Sequence, residues 1–154
     1  MIITEPKWKS WIVETTTPLF TPEQCQKIID AGRRQKPQQA KVGIDKPGGS
    51  GVDTKKRTTT ISWLPFEEMK PMYNDTDVNM QHEPPVRKIS MTLLLSPENQ
   101  FEGGDLELMA PGKRANLKQG YAIAFASFIN HRVAPVTKGV RQSLVMWFGG
   151  EPFK

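Results

Sequence analysis

The chain has 154 residues, 37% of them hydrophobic, with thirteen prolines and twelve glycines; this fits one loop-rich, mostly β domain with a sizeable core better than a helical bundle. Its net charge of +5 is scattered over Arg33 and Arg34, Lys55 to Arg57, Arg87 and Lys88, and Lys113 and Arg114; nucleic-acid binding wants one dense basic face with aromatics, so a solvated surface accounts for the charge. No run is long and apolar enough to span a membrane, Met1 to Lys7 lacks the basic-then-apolar order of a signal peptide, and the single cysteine, Cys25, permits no internal disulfide, which makes the cytoplasm the expected location.

Lys9 to Val13 reads as a short edge strand. Thr21-Pro22-Glu23-Gln24 then carries helix-start signals: Thr21 can cap, Pro22 suits the first helical position, and Gln24 closes a capping box. The helix is expected over residues 22–32, with Cys25, Ile28 and Ile29 on one apolar face and Cys25 as a packing residue. Residues 35–56 hold few apolar side chains and include Pro47-Gly48-Gly49-Ser50-Gly51; they predict a long loop, either a cover for a site or a surface excursion without function. Arg57 to Trp63 alternates and reads as a strand, and Pro65 to Tyr73 as a short helix.

The second half is denser in strands, expected at 88–95, 105–109, 121–126, 131–136 and 142–148. Turns are expected at Pro111-Gly112 and at Thr137-Lys138-Gly139. Short strands at regular spacing with turn signals between them predict a β-sandwich or jelly roll.

Two histidines are present, His82 and His131. Arg141 follows His131 by ten residues, and a turn at 137–139 would set them on adjacent strands facing one interior. Non-haem Fe(II) sites use two histidines and one carboxylate and leave positions open for co-substrate and oxygen. An arginine suits the far carboxylate of an oxoacid, because its planar fork binds carboxylate in two places and keeps its charge. Ser143 shares a strand face with Arg141 and can donate to the same carboxylate. The plain alternatives are a structural histidine and a surface ion pair.

Three ordered segments carry a family resemblance: Pro85-Val86-Arg87-Lys88-Ile89-Ser90, Phe101-Glu102-Gly103-Gly104-Asp105-Leu106, and His131-Arg132-Val133 with Pro135-Val136-Thr137 and Arg141. Together they resemble the prolyl-4-hydroxylase-type Fe(II)/2-oxoglutarate-dependent dioxygenases, most closely the small bacterial and phage members. The likeness is good over residues 87–148 and weaker over the N-terminal helix and Ile61 to Pro65. It implies a mainly β fold, a double-stranded β-helix (jelly roll) with an N-terminal helix, as a single dioxygenase domain over 1–154. It implies Fe(II) and 2-oxoglutarate, with ascorbate as an accessory. The implied activity is hydroxylation, with a prolyl residue of a peptide or protein as substrate and neither nucleic acid nor membrane as partner.

The family's metal site begins with His-x-Asp shortly before the strand at 88–95. Asp77 stands where that aspartate belongs, so Asp77 and His131 are the implied metal ligands, with Arg141 and Ser143 on the co-substrate. Two positions earlier stands Asp75, not histidine; His82 follows Asp77 in a Pro-rich link and does not match. In the family two strands also separate the short helix from His-x-Asp, a span of about 15–20 residues, whereas only Asn74 and Asp75 separate Tyr73 from Thr76. Either the chain has an internal deletion or the sequence omits a stretch that carries the first metal histidine. Omission is favoured, because a jelly roll without two central strands would expose unpaired edges and open its core. Trp147 and Leu93 are candidates for the pocket wall. The rival reading is a non-catalytic jelly-roll binding domain with a degenerate metal site; a basic nucleic-acid-binding domain is a third.

Overall fold

The computed structural model describes residues 11–40, 42–43, 50–51, 59–65, 67, 86–109, 114–115 and 117–150. In chain order the first half gives β1 (Ile12–Glu14), α1 (Pro22–Arg34), β2 (Gln38–Gln39), β3 (Val42–Gly43), β4 (Ser50–Gly51) and β5 (Thr60–Ile61). The second gives β6 (Arg87–Leu94), β7 (Phe101–Gly103), β8 (Leu106–Leu108), β9 (Arg114–Ala115), β10 (Ala122–Ala126), β11 (His131–Val133), β12 (Val136–Gly139) and β13 (Ser143–Gly149). Residues 1–27 with 79–154 form one unit, and residues 28–78 a second.

The first unit is the jelly roll. One sheet has the order β1-β10-β6-β13, antiparallel throughout; the facing strands are β11-β8-β9 and β12-β7. Among the described residues these sheets do not close into a barrel. β6 is buried continuously from Thr92 to Leu94 because it has strands on both sides. Between the sheets lie Leu106, Leu108, Ile123, Phe125 and Ile129, all buried. Each such side chain contributes about 1.5–3 kcal/mol by leaving water. β8 is buried at all three residues for two reasons. Leu106 and Leu108 belong to the core, while the Glu107 carboxylate on the other face accepts from Arg132 Nε at 2.6 Å.

The capping box forms as its sequence suggests. The Gln24 N–H donates to Thr21 Oγ1 at 3.3 Å, and the Thr21 N–H to Gln24 Oε1 at 2.8 Å. α1 spans Pro22–Arg34 and so contains the expected residues 22–32, and Cys25, Ile28, Ile29 and Ala31 are buried. Among the described residues no helix is long and apolar enough to cross a membrane.

In the second unit, the segment expected to be a long loop contains short strands: β2 pairs with β5, and β3 with β4. Their polar, glycine-containing sequences hide them from a hydrophobic pattern. Of the strand expected over 57–63, residues 57 and 58 lie outside the described residues, and Thr60–Ile61 pair with the two residues of β2. The short helix expected over 65–73 lies outside the described residues except for Pro65 and Glu67.

The main correction falls at residues 131–139. The strand expected over 131–136 stops at Val133, and the expected turn at Thr137-Lys138-Gly139 is strand β12. Pro135 has no N–H for a ladder, so regular pairing lapses there. The chain then resumes pairing with β7, and Lys138 Nζ reaches Glu102 Oε1 at 3.0 Å. The reversal into β13 comes at 140–142 instead.

Candidate metal and carboxylate site

His131 opens β11 opposite Leu108 and is an exposed residue. Its Nδ1 lies 2.8 Å from the Ile129 carbonyl oxygen. A carbonyl oxygen can only accept the hydrogen bond, so Nδ1–H donates; in the neutral ring the lone pair then lies on Nε2. Ligating histidines are held in this way, with the second ring nitrogen on a carbonyl or carboxylate. The imidazole also stands edge-on to Phe125, ring centroids 4.8 Å apart. Phe125 belongs to the inter-sheet core, so His131 borders that core.

Strand register identifies what shares this face. Phe125 pairs with Ser90, and Ser90 with Trp147. Directly paired residues point to the same side of a sheet, so Trp147 lies on the Phe125 side. The Arg87 guanidinium sits 4.0 Å over its ring, a cation–π contact. Leu93 pairs with Ala122 and Leu144 and points to the opposite face. The expectation that Leu93 lines the site is therefore corrected: strand alternation turns it away. A larger apolar cavity of about 640 Å³, lined by Trp11, Val13, Ile89, Ala124 and Phe128 among others, does not include His131 or Arg141.

Arg141 does not stand on a strand adjacent to β11, as a hairpin at 137–139 would require. It occupies the corner between β12 and β13. Ser96, 1% exposed, fastens that corner. Its hydroxyl accepts from the Gln142 N–H at 2.7 Å and donates to the Val140 carbonyl at 3.3 Å. Arg141 Nη1 donates to Ser143 Oγ at 3.2 Å, which joins the two residues expected to act together. Burial pushes the guanidinium below its ordinary pKa, and the negative charge of Asp105 opposes that shift.

Beside Arg141 is a recess of about 40 Å³, lined by Leu94, Phe101, Gly104, Asp105 and Leu106 among others. This is room for one group near the size of water, whose share of liquid volume is ~30 Å³. Leu106 also belongs to the core that includes Phe125, so His131 and Arg141 border one apolar cluster. Gly104 makes space for the arginine. Its φ is +71°, and a Cβ there would lie 2.7 Å from Arg141 Cδ and 2.9 Å from Val136 Cγ2.

Asp77, His82 and the Asn74–Thr76 junction lie outside the described residues. Among the described residues no three His, Cys, Asp or Glu side chains gather as a metal cluster. Sequence reasoning missed Ser96 and Asp105 as neighbours of Arg141, and Arg114 as the ion-pair partner of Asp105. Only Asp105 carried a signal, through its place after Gly103-Gly104.

A family model described as the 2OG-Fe(II) oxygenase superfamily matches residues 70–149. A PKHD-type hydroxylase of Idiomarina loihiensis is 48% identical over 61 residues, covering 38% of this chain and 28% of that protein. A PKHD-type hydroxylase of Maricaulis maris is 38% identical over the same length and the same shares. The match thus spans 28% of the length of these relatives. The crystal structure of an oxidoreductase of the 2OG-Fe(II) oxygenase family from Burkholderia pseudomallei aligns with a TM-score of 0.55 at 15% identity, covering 92% of this chain and 86% of that one. At that identity the likeness shows the fold.

Proposed function

The chain belongs to the 2OG-Fe(II) oxygenase superfamily, and from that premise we propose that it is a 2-oxoglutarate-dependent dioxygenase that hydroxylates a prolyl residue in a peptide or protein. The family's cofactors are Fe(II) and 2-oxoglutarate. Relatives named as hydroxylases support hydroxylation; the prolyl target rests on the sequence resemblance. The whole chain is read as one such domain, acting in the cytoplasm.

The carrying observation is the half-buried Arg141 guanidinium, tied to Ser143 beside a recess at the same core that His131 borders. A cation in low dielectric favours an anionic partner. Arg141 and Ser143 would take the distal carboxylate of 2-oxoglutarate. His131 fits a metal because its Nδ1 is engaged by the Ile129 carbonyl, while among the described residues Nε2 has no hydrogen-bond partner. Asp77 is the proposed carboxylate ligand, and the remaining histidine is not in this sequence. Iron, when bound, supplies oxygen activation and a seat for the oxoacid end. The chain supplies orientation and an apolar wall, with Phe125 against His131 and Trp147 on the same face.

The test is anaerobic Fe(II) binding followed by 2-oxoglutarate turnover to succinate, with ascorbate present and a proline-rich peptide as acceptor. Peptide-dependent succinate, lost in Arg141→Gln, supports the reading. Failure of the full chain to hold Fe(II) would leave the non-catalytic binding domain as the better account.

A further inference from the structure

Asp105 stands between two arginines. Its Oδ2 lies 3.0 Å from Arg114 Nη1, while its charge is also felt by Arg141. Asp105 and Arg141 line the same recess. A carboxylate so placed competes with any incoming carboxylate for the same guanidinium. Its geometry holds it off. The Asp105 carbonyl accepts the Ala134 N–H at 2.8 Å, which fixes its backbone. Its side chain is ion-paired with Arg114, and Arg141 donates to Ser143 instead. Arg114 itself is fixed by pairing with Glu107 in the β8–β9 ladder.

We propose that Arg114 is a positioning residue for carboxylate recognition: by holding Asp105 it keeps that side chain from closing onto Arg141, whose open guanidinium edge then takes the carboxylate of the oxoacid. This role presupposes that Arg141 is the co-substrate anchor. Arg114 never touches the ligand, and its side chain is 65% exposed, so its replacement leaves the core intact. Without it, Asp105 is released beside Arg141, which lines the same recess, and becomes an internal inhibitor.

The experiment is calorimetric titration of the full, anaerobic Fe(II)-loaded chain with 2-oxoglutarate. Arg114→Gln should weaken binding by about fivefold to tenfold, and Arg114→Lys should retain it within about twofold. Asp105→Asn added to Arg114→Gln should restore the wild-type dissociation constant, which a merely structural role for Arg114 would not allow. An unchanged dissociation constant in Arg114→Gln, or a double variant as weak as the single one, overturns the proposal. Arg141→Gln separates the two levels. If it abolishes binding while Arg114→Gln has no effect, only the positioning role fails. If Arg141→Gln binds normally, the anchor itself is wrong.

Discussion

The Ser96 hydroxyl grips the backbone on both sides of Arg141, accepting from Gln142 N–H at 2.7 Å and donating to the Val140 carbonyl at 3.3 Å. A buried side chain two residues beyond the end of β6 therefore determines where the arginine begins. Ser96→Ala leaves a donor and an acceptor without their partner, a loss of about 1–3 kcal/mol. Urea denaturation should show that loss. The KM for 2-oxoglutarate should rise more than kcat falls, because the corner that aims Arg141 is loosened.

His131→Ala removes the imidazole whose Nδ1 is held by the Ile129 carbonyl. Loss of even an outer partner of a metal ligand costs about 10–100-fold in affinity, so Fe(II) binding should weaken by at least that much. Thermal stability should change little, since β11 is exposed at all three residues. Metal titration and a melting curve on the same variant separate the two effects. A large stability loss with unchanged metal affinity would make His131 a packing residue.

Gly104→Ala puts a side chain at φ +71°, 2.7 Å from Arg141 Cδ. The left-handed conformation alone costs about 1 kcal/mol, and the contact forces the arginine stem to move. Lower stability and weaker 2-oxoglutarate binding should appear together. A variant with ordinary affinity would show that the stem has other room.

Cys25 is fully buried, and burial raises its thiol pKa above the ordinary 9.0. Below that value the thiol is protonated in both folded and unfolded chains, so stability is unaffected. As pH rises through it, the unfolded thiol ionises first, and folding stability falls until the folded thiol also titrates. Cys25→Ala should remove this alkaline decline in a pH series of denaturation curves. In the native wild type a disulfide reagent should react slowly, and fast labelling would contradict the burial.

How far the sequence could be read varied with the kind of interaction. Thr21 and Gln24 are neighbours in sequence, and their capping box was legible because everything it needs lies within four residues. β6 and β10 were legible because apolar runs persist wherever a strand is central. The corner at 140–142 was not, since Thr137-Lys138-Gly139 looks like a turn until β7 is known to pair with it. Ser96 was invisible for the same reason: it reaches the backbone on both sides of Arg141 through folding, not through spacing. The link between Arg141 and Ser143 survived because it depends only on two positions of one segment.

One ribbon, residues 101–108 against 131–139, runs from the candidate metal ligand to the foot of the carboxylate anchor. Across its irregular middle, Gly104 N–H still donates to the Pro135 carbonyl at 3.0 Å and Ala134 N–H to that of Asp105 at 2.8 Å. A strand residue spans about 3.3 Å, so deleting one residue from β12 would shift Arg141 by one such step relative to His131 and turn the deleted strand's later side chains over. If the two residues serve one co-substrate as proposed, that variant should bind 2-oxoglutarate more weakly while its Fe(II) affinity is kept.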